Sequence, residues 1–159
     1  MLLIGPVKVS CGLFYHHGLY DGAGFVVHNS KKYGRVIRES LDTFSEGKKV
    51  ICSNIQSANP VLANECAMKL IGRPYYLFSD NCEHFVQLCN QNIVESPQLQ
   101  KYLSGAAGLA LAIGSKNKGL QASGIAIAAA TLLTPPDRSP KNNLLIVLAG
   151  LIGVGLILN

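Results

Sequence analysis

A chain of 159 residues has room for one domain and an appendage. It is 48% hydrophobic and 14% charged, with a formal net charge of +5. That balance lies between globular and membrane-seeking. There is no tryptophan, and the basic residues are not interleaved with aromatics, which argues against nucleic acid as a partner. The five cysteines, Cys11, Cys52, Cys66, Cys82 and Cys89, form no C-x-x-C pair. A reduced, cytosol-facing domain is expected rather than a disulfide scaffold. Met1-Leu2-Leu3-Ile4 is too short for a cleavable leader and is broken by Gly5-Pro6.

Residues 2–9 read as a strand edge. Residues 13–20 and 25–29 are β-rich runs, and Asp21-Gly22-Ala23-Gly24 between them reads as a hairpin turn. Arg35-Val36-Ile37-Arg38 is a further short strand, residues 42–46 make one helical turn ended by Gly47, and residues 49–55 alternate like another strand. Pro60 opens a helix that Gly72 ends. Ser79-Asp80 supplies cap chemistry for a helix through Ile93, with Glu83 three residues after Asp80. Pro97 starts a last helix that runs into an Ala/Gly-rich tail. The expected core is α+β: a small antiparallel sheet with packed helices, followed by C-terminal hydrophobic helices. The division expected is a catalytic domain over 1–103 and a tail over 104–159.

Two stretches carry chemistry. Asn81-Cys82-Glu83-His84-Phe85-Val86 puts a cysteine near a helix start. First-turn amides lack intrahelical partners and the helix dipole is positive there, so Cys82 is the cysteine expected to have a lowered pKa. The same amides offer a hole for an oxyanion. Tyr15-His16-His17-Gly18-Leu19-Tyr20 puts histidines on a hairpin arm, with His28 on the other arm. A three-residue turn with Tyr20 opposite Gly24 sets His16 facing His28; a two-residue turn sets His17 there instead. Geometry leaves both open. Either way, an imidazole pair beside a thiol suggests a nucleophile, a base and an orienting group. His84, two residues after Cys82, points elsewhere and reads as structural. A metal site from these histidines and Cys82 lacks the usual paired spacing, and no cofactor is expected.

In these residues the chain resembles the lecithin:retinol acyltransferase-like family, which includes the H-Ras-like-suppressor phospholipase/acyltransferases. The family's H-x-[AG]-[ILV]-Y-x-G box corresponds to His16-His17-Gly18-Leu19-Tyr20-Asp21-Gly22, its second histidine to His28, and its N-C-E-H-F box to residues 81–85. Leu70-Ile71-Gly72-Arg73-Pro74-Tyr75 and Glu95-Ser96-Pro97-Gln98 extend the similarity to roughly residues 5–103. The resemblance implies Cys82 as nucleophile, His16 as base and His28 as its orienting partner. It implies a circularly permuted papain-like (NlpC-like) fold and acyl transfer or phospholipid hydrolysis through an acyl-thioester. Two positions depart from the family pattern: Gly5-Pro6 stands where Gly-Asp often opens the domain, and Asp21 stands where a small or apolar residue is usual.

Residues 144–158 are an unbroken apolar run, and residues 124–133 are a shorter one. Between residues 101 and 159, Lys101, Lys116, Lys118, Arg138 and Lys141 face Asp137 alone. Basic residues beside apolar runs suit an anionic lipid surface. The tail is therefore expected to be a transmembrane helix, a membrane hairpin or an interfacial anchor, with the catalytic domain on the cytoplasmic side and membrane phospholipid as substrate. A cysteine peptidase or amidase and a non-enzymatic membrane-remodelling module are the rival expectations.

Overall fold

The computed structural model describes residues 4–135, which form two compact units, 4–96 and 97–135. In the first, β1 (Gly5–Cys11), β2 (Phe14–Tyr20), β3 (Phe25–Ser30) and β4 (Arg35–Ser40) are followed by α1 (Leu41–Ser45), β5 (Ile51–Cys52), α2 (Pro60–Lys69) and α3 (Cys82–Gln91). The second contains α4 (Pro97–Gly114) and α5 (Lys118–Leu133). The expected 103/104 boundary falls inside α4.

The five strands make one sheet in the order β4-β3-β2-β1-β5, with every pairing antiparallel. The α+β class is as expected. The strand expected over 49–55 shrinks to two residues, because β5 finds partners only at Val7 and Lys8.

Alternation divides the strands' side chains between two faces. On one, Leu19, Val27 and Val36 pack against Ala63 and Ala67 of α2 and Phe85 and Val86 of α3. Phe85 and Leu19 are fully buried, each worth about 2 kcal/mol of transfer free energy. On the other face, Val7, Val9 and Val26 pack around Phe44 of α1.

The β2–β3 hairpin differs from the expected register. Tyr20 pairs with Val26 and Leu19 with Val27, so the connection is five residues long rather than three. Asp21 organises it. Its carboxylate accepts from the amides of Ala23 (2.8 Å) and Phe25 (3.1 Å) and holds the Arg38 guanidinium at 2.6 Å. The unusual residue at this place in the box is thus a loop clasp. The shift is even, two residues, so it keeps His16 and His28 on one face.

In the second unit, α4 and α5 pack through small residues. A methyl added at Gly124 would stand 2.5 Å from the Ala112 amide nitrogen and 2.6 Å from the Gly108 carbonyl oxygen. Backbone touches backbone there, as in small-xxx-small helix pairs. The outward side chains are apolar: Ile113 is 83% exposed and Leu132 81%. The transmembrane expectation finds no support among the described residues, where no helix is long and apolar enough to cross a membrane. Gln98, Gln100, Lys101 and Ser104 make the start of α4 polar. The run 144–158 lies outside the described residues.

Candidate active site

Helix α3 starts one residue later than its sequence suggests. Asn81, not Asp80, is the cap: its side-chain oxygen accepts from the amides of Glu83 (2.9 Å) and His84 (3.1 Å). His84 completes the capping box, its Nδ1 accepting from the Asn81 amide at 3.3 Å. His84 is structural, as its position predicted. Asp80 is drawn away by the Arg73 guanidinium and by Asn29, whose side-chain amide donates to its carbonyl (2.7 Å) and carboxylate (3.2 Å). These bonds tie the mouth of α3 to β3. Cys82 is the first helical residue.

The thiol does not stand in open solvent. Burial pushes it up to about 12, against the pull of hydrogen bonds from the His17 and Glu83 amides. This reverses the expected lowering: desolvation outweighs the two donors and the helix terminus. A second expectation changes with it. The cap already occupies the amides of Glu83 and His84, so the first-turn donor it leaves for an oxyanion is the Cys82 amide.

The His17 amide reaches Cys82 for a reason of register. Asp21 N–H bonds to the Phe25 carbonyl at 3.0 Å, so odd-numbered β2 residues turn their amides toward β3. The β2–β3 ladder nonetheless stops at Leu19↔Val27. The next amide on that side of β2, that of His17, meets the sulfur of Cys82 instead.

His16 and His28 meet as the sequence suggested. His16 Nε2 lies 2.7 Å from His28 Nδ1. The rings lie 5.2 and 5.1 Å from that of Phe44, on the face of the sheet opposite the one α3 covers. Burial lowers His16 to about 4; burial and the neighbouring His16 lower His28 to about 3. Both rings are neutral at pH 7. His17 points to the α3 face, where its Nδ1 is 3.1 Å from Ser53 Oγ, which settles which histidine meets His28.

The three expected residues are therefore joined unevenly. The two imidazoles touch. Cys82 reaches the amide next to His16, and its hydrogen-bond donors are backbone amides rather than a ring nitrogen. The thiol that lines the pocket beside the imidazoles is Cys11, with Lys48 Nζ at 3.7 Å.

Glu39 escaped sequence reading. Its Oε1 is 2.9 Å from His28 Nε2. An acidic residue one position past the strand read at 35–38 was the available signal, but using it needs the β3–β4 register. Among the described residues, no group of three or more His, Cys, Asp or Glu side chains converges to hold a metal.

Residues 5–94 match the family model described as lecithin retinol acyltransferase. The chain belongs to this family. The domain is of acyltransferase and phospholipase type, and the matched span holds β1 through α3 with all three expected site residues. No curated protein matches the chain.

Proposed function

We propose that this chain is a cysteine-dependent acyltransferase or phospholipase A-type hydrolase that takes acyl chains from glycerophospholipids at a membrane surface. The hydrogen bond between His16 on β2 and His28 on β3, with the next β2 amide, that of His17, meeting the Cys82 thiol, carries the reading.

Cys82 attacks the ester carbonyl while His16 takes the thiol proton. His16 Nε2 is engaged by His28, so Nδ1 is the nitrogen for this transfer. A thiol near 12 and an imidazole near 4 rest as a neutral pair. The proton therefore moves during attack rather than before it. The Cys82 amide faces the developing oxyanion. The protonated His16 then releases the lysolipid, and water, an alcohol or an amine resolves the thioester.

Membrane association is part of the proposal. Helices α4 and α5 expose Leu109, Ile113, Ile125, Leu132 and Leu133. Residues 97–135 contain Lys101, Lys116 and Lys118 and no acidic residue. An apolar surface edged only by cations suits anionic lipid. The cytoplasmic side is proposed for the catalytic unit on the strength of the free cysteines.

The test is lysolipid and fatty-acid release from phospholipid vesicles by the full chain. Wild type is expected to turn over lipid and Cys82→Ala to be inert; equal turnover by the two defeats the proposal.

The raised, amide-bonded thiol favours a second reading, a membrane-remodelling module that keeps the fold without its chemistry. Vesicle leakage that persists in a Cys82→Ser/His16→Ala double variant, with no lipid turnover in wild type, supports it.

A further inference from the structure

His28 is held at both ring nitrogens: Nδ1 meets His16 Nε2 at 2.7 Å and Nε2 meets Glu39 Oε1 at 2.9 Å. A neutral imidazole has one N–H and one lone pair, whereas an ionised carboxylate only accepts. An ionised Glu39 therefore requires the His28 proton on Nε2. His28 Nδ1 is then an acceptor, so His16 must donate from Nε2. The lone pair of His16 is left on Nδ1.

We propose that Glu39 is a positioning residue which, acting through His28, orders the protons along this relay and makes His16 Nδ1 the base; its catalytic consequence rests on the reading of Cys82 as nucleophile. In the transfer, the S–H bond of Cys82 breaks and an N–H bond forms at His16 Nδ1 as the sulfur adds to the ester carbonyl, leaving His16 as imidazolium. His16 Nε2–H still donates to His28, and His28 Nε2–H to Glu39. No other bond in the relay changes. The carboxylate charge opposes the positive charge that appears two groups away.

The backbone builds this arrangement. In the β3–β4 pair His28 stands opposite Ile37 and Val26 opposite Glu39, so Glu39 is the diagonal neighbour of His28 on the same face. Phe44 covers both rings on that face. The hydrogen bond is largely shielded, with the His28 side chain 3% exposed and that of Glu39 15%.

The relay has an alternative order. A protonated Glu39 can donate to His28 Nε2. His28 Nδ1–H then donates to His16 Nε2, and the remaining His16 proton sits on Nδ1, where it blocks the base. Burial holds the Glu39 carboxyl above its usual range, with Lys32 opposing and Glu46 reinforcing. Cys11, Lys31, Tyr33, Lys48, His16 and His28 are the other titratable groups lining the same pocket. Mild acid favours the inverted order.

The experiment is 15N NMR of histidine-labelled full-length protein in lipid nanodiscs, with iodoacetamide labelling of Cys82 followed by mass spectrometry. Wild type is expected to show both rings as Nε2–H tautomers at pH 7.5. Glu39→Ala should show Nδ1–H character and label about tenfold more slowly or worse. Glu39→Gln keeps the shape and hydrogen-bonding reach without the charge, and should fall between them. A Glu39→Ala/His28→Ala double variant should lose no more than His28→Ala alone. Wild-type His28 protonated at Nδ1, or unchanged tautomers and labelling in both Glu39 variants, overturns the proposal. Expected tautomers and labelling in a protein that turns over no lipid would leave Glu39's role intact and count against the lipid reading alone.

Discussion

Asn81→Ala removes the group that sets where α3 begins, and its cost can be worked from the structure. Two amides lose their acceptor, Glu83 N at 2.9 Å and His84 N at 3.1 Å. Both residues are buried, Glu83 at 1% exposure and His84 at 6%, so water replaces the cap poorly. The loss belongs at the upper end of the cap range, about 2 kcal/mol. For a folded unit of this size that lowers the melting temperature by about 10 °C. Cys82 is the next residue, so a frayed first turn also misplaces the thiol. Asn81→Asp separates the effects. It keeps an acceptor for both amides but gives up donation from Nδ2 to the Leu77 carbonyl (3.0 Å) and Ser96 Oγ (3.4 Å). Its melting temperature should fall between the other two. Circular dichroism melts of the full chain measure the first effect, and lysolipid release measures the second. An Asn81→Ala protein that melts within about 2 °C of wild type and keeps its turnover would refute the account of the cap.

Acid should unfold the protein from the imidazole side. His16 and His28 are neutral in the fold, at about 4 and about 3, whereas the unfolded chain takes up protons below 6.5. The unfolded state binds more protons between 6.5 and those values, so stability falls as pH drops through that window, by on the order of 3 kcal/mol per ring. Urea midpoints against pH check this, and the His16→Ala/His28→Ala variant should give a flatter curve. Labelling of Cys82 by iodoacetamide should rise about tenfold per pH unit above neutrality, because the buried thiol is held high; a plateau below pH 7 would contradict that state. Cys11→Ser should leave lipid turnover within about twofold of wild type, since Cys11 shares the imidazoles' pocket but not the helix mouth. Gly124→Ala should cost the α4–α5 hairpin about 1–3 kcal/mol, since the new methyl meets backbone atoms that cannot rotate away. Gly114→Ala meets nothing within 4 Å and should be neutral or stabilising by about 0.5 kcal/mol; limited proteolysis compares the two.

The parts legible in the sequence were those that local pattern decides. The strand-turn-strand of residues 14–30 and the helix following Asp80 follow from alternation and period, whereas parity left His16 and His17 both open opposite His28 and the family resemblance chose His16. Parity survived even though the turn was two residues longer than expected, because an even slip keeps a side chain on its face. What escaped depends on contacts distant in sequence. Asp80 reads as a cap until Arg73 and Asn29 claim it. The dipole argument for Cys82 holds locally, yet the desolvation that overrides it comes from packing between two strands and a helix. Glu39 acquires its place beside His28 only through the β3–β4 register.

The central claim is that the sulfur of Cys82 carries the acyl group with His16 as its base. Full-length protein mixed with palmitoyl phospholipid vesicles, acid-quenched within one turnover and digested, should yield a palmitoyl thioester on Cys82. His16→Ala should form it at least about a hundredfold more slowly. An acyl group found on Cys11 or on no cysteine, or equal rates in wild type and His16→Ala, would contradict the account.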